Sequence, residues 1–515
     1  MRYLYILDIF YVMENSKYDV IIGLEIHIQS NTQSKMFCAC PTHYFEKEPN
    51  TQVCPVCLGL PGALPIPNKR AIELCILLGI ATNCDIEKEI HFDRKHYFYP
   101  DLPKGYQISQ YKRPICSDGH IDIKDIDGNK YEIGIERIHQ EEDVAKSTHH
   151  SEGNTEYALI DYNKSGVPLI EIVSKPNIRS AYQAKEYANK IRQIVRYLNI
   201  SDADMEKGQM RCEPNISIQE KGKWELKDGK ILPIGDYKLN PKSEVKNIGS
   251  ISAVEKAIEY EVERMISELE CGKTLIQQTR GWDANKGKTI FQRSKETADD
   301  YRYMPEPDIP VIEIGSDDIE RISNELVELP EEKKNRYIQD YSLSEYDSSV
   351  LTADRDISKY FEKLLLTLSS SFDSQKAAKM ASNWITGAVF SISNDLKIDI
   401  NDINIPIEPL SSLIQHFDKE GITRNKAESL LRESIESKTD LNQLLERALK
   451  EKETNSQNID TIIEEVIKEN EKAVSDFKSG KQATIGYLVG QVMQKTKGSA
   501  DPNKARLLLI EKLNG

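Results

Sequence analysis

The sequence has no stretch of about twenty apolar residues, which a membrane helix requires. Its longest apolar segment, residues 1–12, is short and interrupted, and no cleavage site of small residues follows it. The chain also lacks a G-x-x-x-x-G-K-[ST] loop, a Rossmann fingerprint and a G-x-S-x-G elbow. A bound nucleotide would therefore need another architecture, and one common hydrolase mechanism is excluded.

Positive charge is in deficit over most of the chain. There are 68 Lys and Arg against 83 Asp and Glu, a net charge of -15, so nucleic acid cannot cover the whole surface. Residues 471–515 reverse this balance, with eight basic against four acidic side chains. We therefore expect any RNA contact to be local and to involve this segment.

The nine cysteines are odd in number and mostly scattered, which favours a reducing cytoplasm over a disulfide framework. Four of them form a C-x-C and a C-x-x-C pair separated by thirteen residues: Cys38, Cys40, Cys54 and Cys57. Such pairs can place four thiolates on one tetrahedral zinc ion, and a closed set of four thiolates is structural. The alternative is four free thiols.

A chain of 515 residues is expected to form about three domains. Alternating runs and turn signals, with helical periods at 68–83, 180–198 and 252–270, predict an α+β fold that begins with a large mixed α/β domain. The prolines of Met304–Pro310 fit its end. The predicted domains are residues 18–307, an all-α helical domain of residues 308–450 and a small α-helical tail of residues 455–515. Because Tyr18 opens the first strand soon after Met13, we expect Met13 to be the true start and residues 1–17 to be an extension.

The first predicted strand combines an apolar face with a polar one. The alternation of side chains in Val20–Ile28 sends the aliphatic residues to one face and Gly23, Glu25 and His27 to the other. Glu25 and His27 therefore share a surface, and Gly23 leaves room for a ligand beside them. The alternative is an ordinary strand with polar residues in water.

Two further segments repeat this pattern. Glu171 lies in an otherwise apolar strand, Pro168–Val173, and Glu141, Glu142 and Asp143 follow His139 closely. A buried carboxylate is unfavourable without a compensating cation, and magnesium prefers such oxygen ligands while bridging phosphates. The acidic triplet taken alone fits a solvated loop equally well.

The segment Asp93–Pro103 mixes cations with aromatic rings and two prolines. It predicts a rigid loop in which Arg94 or Lys95 holds a phosphate group while the rings shield it. A surface turn is the alternative.

These motifs together closely resemble one family, the B subunits of the tRNA-dependent amidotransferases, which convert misacylated Glu-tRNA(Gln) or Asp-tRNA(Asn) to the correct amide. The resemblance spans nearly everything after Met13. It rests on Gly23-Leu-Glu-Ile-His27, Leu60-Pro-Gly-Ala-Leu-Pro65, Phe92-Asp-Arg-Lys-His-Tyr-Phe-Tyr-Pro100, Tyr106-Gln-Ile-Ser-Gln110, His139-Gln-Glu-Glu-Asp143, Pro168-Leu-Ile-Glu-Ile-Val173, Asp300-Tyr-Arg-Tyr303 and Gly486-Tyr-Leu-Val-Gly-Gln491.

The resemblance implies a cradle-shaped amino-terminal domain with the synthetase site, a helical domain and a tail that contacts tRNA(Gln) or tRNA(Asn). It also implies two protein partners: a glutaminase (amidase) subunit that releases ammonia from glutamine, and a small third subunit. In such enzymes ATP phosphorylates the side-chain carboxylate of the tRNA-borne Glu or Asp, and ammonia displaces the phosphate.

The resemblance further implies His27, Glu142 and Glu171 as magnesium ligands, with Glu25 in or just behind the coordination sphere. Lys95, with Arg94, would face ATP or the acyl phosphate. Two alternatives stay open at this point. One is a non-catalytic tRNA-binding adaptor with a vestigial metal site, and the other is a stand-alone metal-dependent hydrolase.

Overall fold

A computed structural model of the protein describes residues 17–153, 155–294, 301–398, 405–419, 421–457, 459–496, 500 and 502–514. The expected start at Met13 lies outside these residues. The chain divides into two compact units, one ending at Leu329 and one beginning at Pro330. Within these described ranges, no helix is both long and apolar enough to cross a membrane.

The first unit is built on a nine-stranded sheet with the strand order β16-β15-β14-β11-β1-β10-β7-β6-β2. Neighbouring strands are antiparallel except β14 and β15, which are parallel. Its strands are β1 (Tyr18–Gln29), β2 (Asp85–Ile86), β6 (Cys116–Lys124), β7 (Lys130–Glu142), β10 (Pro168–Ser174), β11 (Met210–Glu220), β14 (Ser243–Lys246), β15 (Gln278–Asp283) and β16 (Lys288–Ser294).

Four smaller sheets accompany the large one. They pair β3 (Glu89–Ile90) with β18 (Ile312–Glu313), β4 (Asp93–His96) with β5 (Tyr106–Ser109) and β17 (Met304–Pro305), β8 (Lys146–Glu152) with β9 (Thr155–Asp161), and β12 (Trp224–Lys227) with β13 (Lys230–Pro233).

Three helices pack on the large sheet: α1 (Lys69–Ala81) against β7, α2 (Ala181–Tyr197) against β6 and α3 (Ile251–Glu270) against β11. The residues that precede these helices are Asn68, Ser180 and Ser250 respectively. The side-chain oxygen of each accepts a hydrogen bond from a backbone N–H of the first turn. The three predicted helical segments and the α+β fold class are thus confirmed. The helices and the aliphatic face of β1 share one hydrophobic core, so the opposite face of β1 is left for polar residues.

The structure places the end of this unit later than the predicted boundary at 307/308. The short helix α4 (Ser316–Ser323) packs on α1, where Arg321 pairs with Glu73 at 2.7 Å. Glu325 also pairs with Arg70 at 2.8 Å. These contacts keep residues up to Leu329 in the first unit.

The described part of the second unit is helical and has two separate hydrophobic cores. The first core runs from Tyr337 to Ala448 and the second from Ile459 to Leu513, within the predicted tail. The helices are α5 (Pro330–Tyr341), α6 (Glu345–Leu351), α7 (Arg355–Leu368), α8 (Ser374–Asn383) with a π-helical continuation (Trp384–Val389), α9 (Phe390–Leu396), α10 (Ile407–Asp418), α11 (Arg424–Ser437), α12 (Leu441–Gln457), α13 (Ile459–Glu469), α14 (Glu471–Lys478), α15 (Thr484–Lys495) and α16 (Pro502–Asn514).

Candidate functional site

The polar face of the large sheet carries ionisable side chains in rows that cross several strands. In one row Arg211, His27, Glu171 and His139 are successive register partners on β11, β1, β10 and β7. Since alternate residues of a strand share a face, Glu141 lies on the same surface as His139. Alternation along β1 predicted a polar surface around Glu25 and His27. The pairing of β1 with strands from distant parts of the chain extends this surface across the sheet.

His27, Glu141 and Glu171 form a compact group, called here the imidazole–carboxylate group. His27 Nε2 lies 3.4 Å from Glu171 Oε2 and 3.6 Å from Glu141 Oε1. One donor atom from each residue lies within 4.8 Å of the other two. One imidazole and two largely buried carboxylates are a donor set that suits a hard divalent cation.

The electrostatics of this group show that it attracts positive charge. Burial lowers the pKa of His27, but Glu171, Glu213 and Glu141 outweigh burial and raise that pKa to about 9. Burial likewise raises the pKa of Glu171, but His139 and His27 together hold it well below its usual range. The raised pKa of His27 thus reflects carboxylates that favour a positive charge in this group, and a bound cation would meet the same field.

Glu142 is not part of this group, although it was predicted from the sequence as a magnesium ligand. Because it alternates with Glu141, its side chain turns to the other side of β7. There its carboxylate accepts hydrogen bonds from Lys104 Nζ and from the Ile108 backbone N–H, the latter at 3.0 Å. It lines a cavity of about 210 Å³ that also includes Cys38. The structure brings Glu141, in its place, beside His27.

Glu25 shares the polar face with His27 but belongs to a second group, formed with Glu213 and Glu244. Lys246 Nζ lies 2.6 Å from Glu213 Oε2 and 3.8 Å from Glu244 Oε1, which compensates part of the negative charge. Burial raises the pKa of Glu213, but Lys246 and then His27 outweigh it and lower that pKa to about 2. Neither Glu213 nor Glu244 was predicted from the sequence, although Glu213 alternates along β11 as Glu25 does along β1.

Lys95 and Arg94 have different surroundings because they point to opposite sides of β4. Burial lowers the pKa of Lys95, but Glu141 above all, with Tyr303 and Glu171, raises it well above its usual value. Its Nζ lies 5.1 Å from the centre of the Tyr301 ring. Lys95 is thus a cation facing the imidazole–carboxylate group.

The Arg94 guanidinium forms a bidentate ion pair with Glu306, with both contacts at 2.8 Å. It also donates to Asp308 at 3.3 Å and lies 4.3 Å from the centre of the Tyr106 ring. The structure thus gives Arg94 a role in attaching the segment after β17 to β4.

A further buried network at the end of β7 was not anticipated from the sequence. Asp143 accepts hydrogen bonds from Gln29 at 2.7 Å, Lys164 at 2.9 Å and Arg211 at 2.7 Å. Burial raises its pKa, but Arg211 and Lys164 hold it well below its usual range. The network anchors the end of β7 to β1 and β11, beside the imidazole–carboxylate group.

The four cysteines of the two predicted pairs converge as their spacing indicated. One Sγ atom from each of Cys38, Cys40, Cys54 and Cys57 lies within 4.8 Å of the others. The pKa of Cys57 is lowered to about 5, mainly by a hydrogen bond with the Cys38 thiol. The convergence of four sulfur atoms fits a single tetrahedral ion. Residues 38–57 are called the cysteine knuckle below.

Comparison with known proteins defines the class first. The model of the GatB/GatE catalytic domain matches residues 20–320, and that of the GatB domain matches residues 360–513. The first region contains the imidazole–carboxylate group, the second group of Glu25, Glu213 and Glu244, and the cysteine knuckle.

Similar full-length proteins make the relationship more specific. Each is named as the B subunit of an aspartyl/glutamyl-tRNA(Asn/Gln) amidotransferase. The protein from Dehalococcoides mccartyi is 45% identical over 97% of this chain and 99% of its own length. The proteins from Thermodesulfovibrio yellowstonii and Thermoanaerobacter pseudethanolicus are each 42% identical, over 96% and 97% of this chain and 99% and 100% of their own lengths. The chain belongs to this family of amidotransferase B subunits, and the resemblance found in the sequence is confirmed.

Proposed function

We propose that this protein is the synthetase subunit of an ATP-dependent, glutamine-hydrolysing amidotransferase, a ligase that converts Glu-tRNA(Gln), Asp-tRNA(Asn) or both to the amide. The observation that carries the proposal is the imidazole–carboxylate group, in a chain similar over nearly its full length to B subunits named for these tRNAs. A vestigial site in a tRNA-binding adaptor has no reason to keep an imidazole and two carboxylates within 4.8 Å of one another.

The proposed chemistry begins with a carboxylate, which is a poor acyl donor because its oxygen is a poor leaving group. Conversion to an acyl phosphate supplies the leaving group, and ammonia from the partner amidase then displaces phosphate. Magnesium, when bound, would neutralise negative charge on the phosphates. His27, Glu141 and Glu171 would hold it, and Glu25 would act from the neighbouring group.

Lys95 completes the proposed reaction centre. Its ammonium faces the same carboxylates and would bind the transferring phosphoryl group or the acyl phosphate, as a point charge. The rings of Tyr301 and Tyr303 lie around it and would limit access of water to an acyl phosphate. Arg94 would support this site indirectly, through Glu306, instead of binding ATP.

A coupled assay tests the proposal. The purified complex of this protein with its amidase partner and the small third subunit would receive ATP, glutamine and magnesium, with Glu-tRNA(Gln) or Asp-tRNA(Asn) in turn. We expect amide formation on at least one of the two tRNAs and ATP hydrolysis that depends on it. Binding of both tRNAs without amide formation would support the adaptor, and ATP hydrolysis or other turnover without tRNA would support the stand-alone hydrolase.

We propose a structural zinc ion in the cysteine knuckle, because four converging thiols leave no coordination position for substrate. Cys40→Ser is expected to remove the zinc and lower the thermal midpoint by about 5 °C or more, since metal binding contributes directly to folding. Elemental analysis and thermal unfolding measure both effects. Cys271→Ser, at an exposed cysteine outside the knuckle, is the control and should change neither. A full zinc content in Cys40→Ser would contradict the assignment.

We propose that the tail of α13–α16 contacts tRNA. The whole tail is less basic than residues 471–515 suggested, because residues 459–515 contain nine basic and eight acidic side chains. Lys495 pairs with Glu465 and Glu469, and Lys512 with Glu464. Its RNA contact would therefore rest on particular exposed cations, such as Lys472 and Lys478, and not on net charge.

Deleting residues 459–515 is expected to weaken tRNA affinity by about tenfold or more and to reduce its dependence on salt. The tail has its own hydrophobic core, so the deletion leaves the core of α5–α12 complete. Binding of labelled tRNA at several salt concentrations measures the effect, and circular dichroism of the shortened complex checks its folding. An unchanged affinity and salt slope would rule out the tail as an RNA contact.

A further inference from the structure

Lys35, next to the cysteine knuckle, is a lysine with no exposed surface. Its Nζ donates hydrogen bonds to the carbonyl of Gln52 at 2.8 Å, the carbonyl of Tyr162 at 3.4 Å and Cys57 Sγ at 3.7 Å. Among the described residues, no carboxylate lies within ion-pair distance of it. Burial of an ammonium is unfavourable unless an anion compensates it, and the sulfur is the only one of the three acceptors able to carry a full negative charge.

A metal ion bound by four thiolates would be stabilised by such a cation. A divalent ion with four thiolates has a net charge of about −2, and Cys57 is almost completely buried. One ammonium in contact with a ligand sulfur halves that charge. We propose that Lys35 is the counter-cation of the metal–thiolate cluster and a positioning residue that retains the ion. This inference rests on the metal-binding function proposed for the four cysteines.

The position of Lys35 is fixed by the chain around it. Its own N–H donates to the Cys40 carbonyl at 2.9 Å, and the next residue, Met36, donates to Gly166 at 2.7 Å. Gly166 has a φ of +87°, and a Cβ atom there would lie 3.4 Å from Lys35 Cδ and 3.5 Å from Cys57 Cβ. The positive φ favours glycine at this position, and the lysine stem and Cys57 pack directly against it. These contacts hold the Lys35 ammonium beside the sulfur of Cys57.

The test is the rate at which the purified complex transfers zinc to the chelator 4-(2-pyridylazo)resorcinol. Lys35→Met keeps the length of the side chain and removes its charge, and we expect zinc release to become about 10- to 100-fold faster. Lys185→Met is the matched control, because Lys185 is also partly buried but pairs with Glu255 on α3, at 3.0 Å, instead of sulfur. Its zinc release should match that of the unmodified protein. A Lys35→Met variant that releases zinc at the unmodified rate overturns the inference.

A second variant separates charge from packing. Lys35→Gln keeps a donor for the two carbonyls without the charge, and it serves if Lys35→Met fails to fold. The rise in thermal midpoint on zinc binding should be smaller in either variant than in the unmodified protein. An equal rise would reduce Lys35 to a packing residue and overturn the inference. Absence of zinc from the unmodified protein would overturn the knuckle assignment itself, and with it this role.

Discussion

Replacing Glu171 with Gln is expected to lower ATP- and tRNA-dependent amide formation by about a thousandfold, equivalent to about 4 kcal/mol of lost transition-state stabilisation. Glu171 is the central residue of the site, within 3.4 Å of both His27 and His139. The substitution removes one of the negative charges that would hold magnesium while leaving the side-chain volume nearly unchanged. The measurement is the rate of amide formation by the proposed three-subunit complex, repeated over a range of magnesium concentrations.

Two controls make this result specific. Glutamine hydrolysis by the proposed amidase partner and tRNA affinity should change little, because neither is expected to use the imidazole–carboxylate group. Glu132→Gln removes an exposed carboxylate of β7 and should leave amide formation intact. Normal amide formation by Glu171→Gln at low magnesium would refute the proposed reaction centre.

The neighbouring acids of β7 allow a sharper comparison. Glu141→Gln is expected to resemble Glu171→Gln and to be partly restored by higher magnesium. Glu142→Gln should cause a smaller loss without this magnesium dependence, because its carboxylate pairs with Lys104 on the other side of the strand. If Glu142→Gln showed the stronger magnesium dependence, the ligand set first expected from the sequence would be correct and our assignment of Glu141 would fail.

Lys95→Met is expected to lower the rate of amide formation by about a hundredfold to a thousandfold. The ammonium is a cation that faces Glu141 and Glu171, and methionine keeps most of its volume without its charge. Single-turnover measurement of phosphate release from ATP, with misacylated tRNA bound, reports on the step that Lys95 would assist. Lys112→Met, at an exposed lysine nearby in the chain, is the matched control. An unaffected rate of phosphate release in Lys95→Met would remove this lysine from the reaction centre.

Local alternation predicted part of the site from the sequence alone. The spacing in β1 was sufficient to separate Glu25 and His27 from the aliphatic core, and the cysteine spacing was sufficient to bring four sulfur atoms together. In β7, alternation counted from Ile138 places His139 and Glu141 on the polar face. Counted from Ile133 and Ile135 it would place them on the core side, and the irregularity beside Val173 and Ser174 that changes the count is not evident from the sequence. The resemblance to the family indicated the acidic motif as a whole. Choosing between Glu141 and Glu142 as the metal ligand required the observed register of β7.

The rest of the site depends on contacts between distant segments. The sequence suggested Arg94 as a phosphate ligand because it does not reveal that Arg94 pairs with Glu306. The two residues are 212 positions apart in the chain. Glu244 joins Glu25 only because β11 lies between β1 and β14 in the sheet. Likewise, α4 belongs to the first unit because it packs on α1, which no local signal in residues 308–329 indicates.

The opposite orientation of Glu141 and Glu142 bears on which changes in chain length this strand tolerates. Removing one residue between Ile138 and Glu141 would exchange the two faces for the residues that follow it. Glu142 would then take the position of Glu141, and Lys104 would lose its anion. Homologous chains should therefore vary in length at the turn between β6 and β7, around Asp127 and Gly128, and keep the spacing from Ile138 to Asp143 constant.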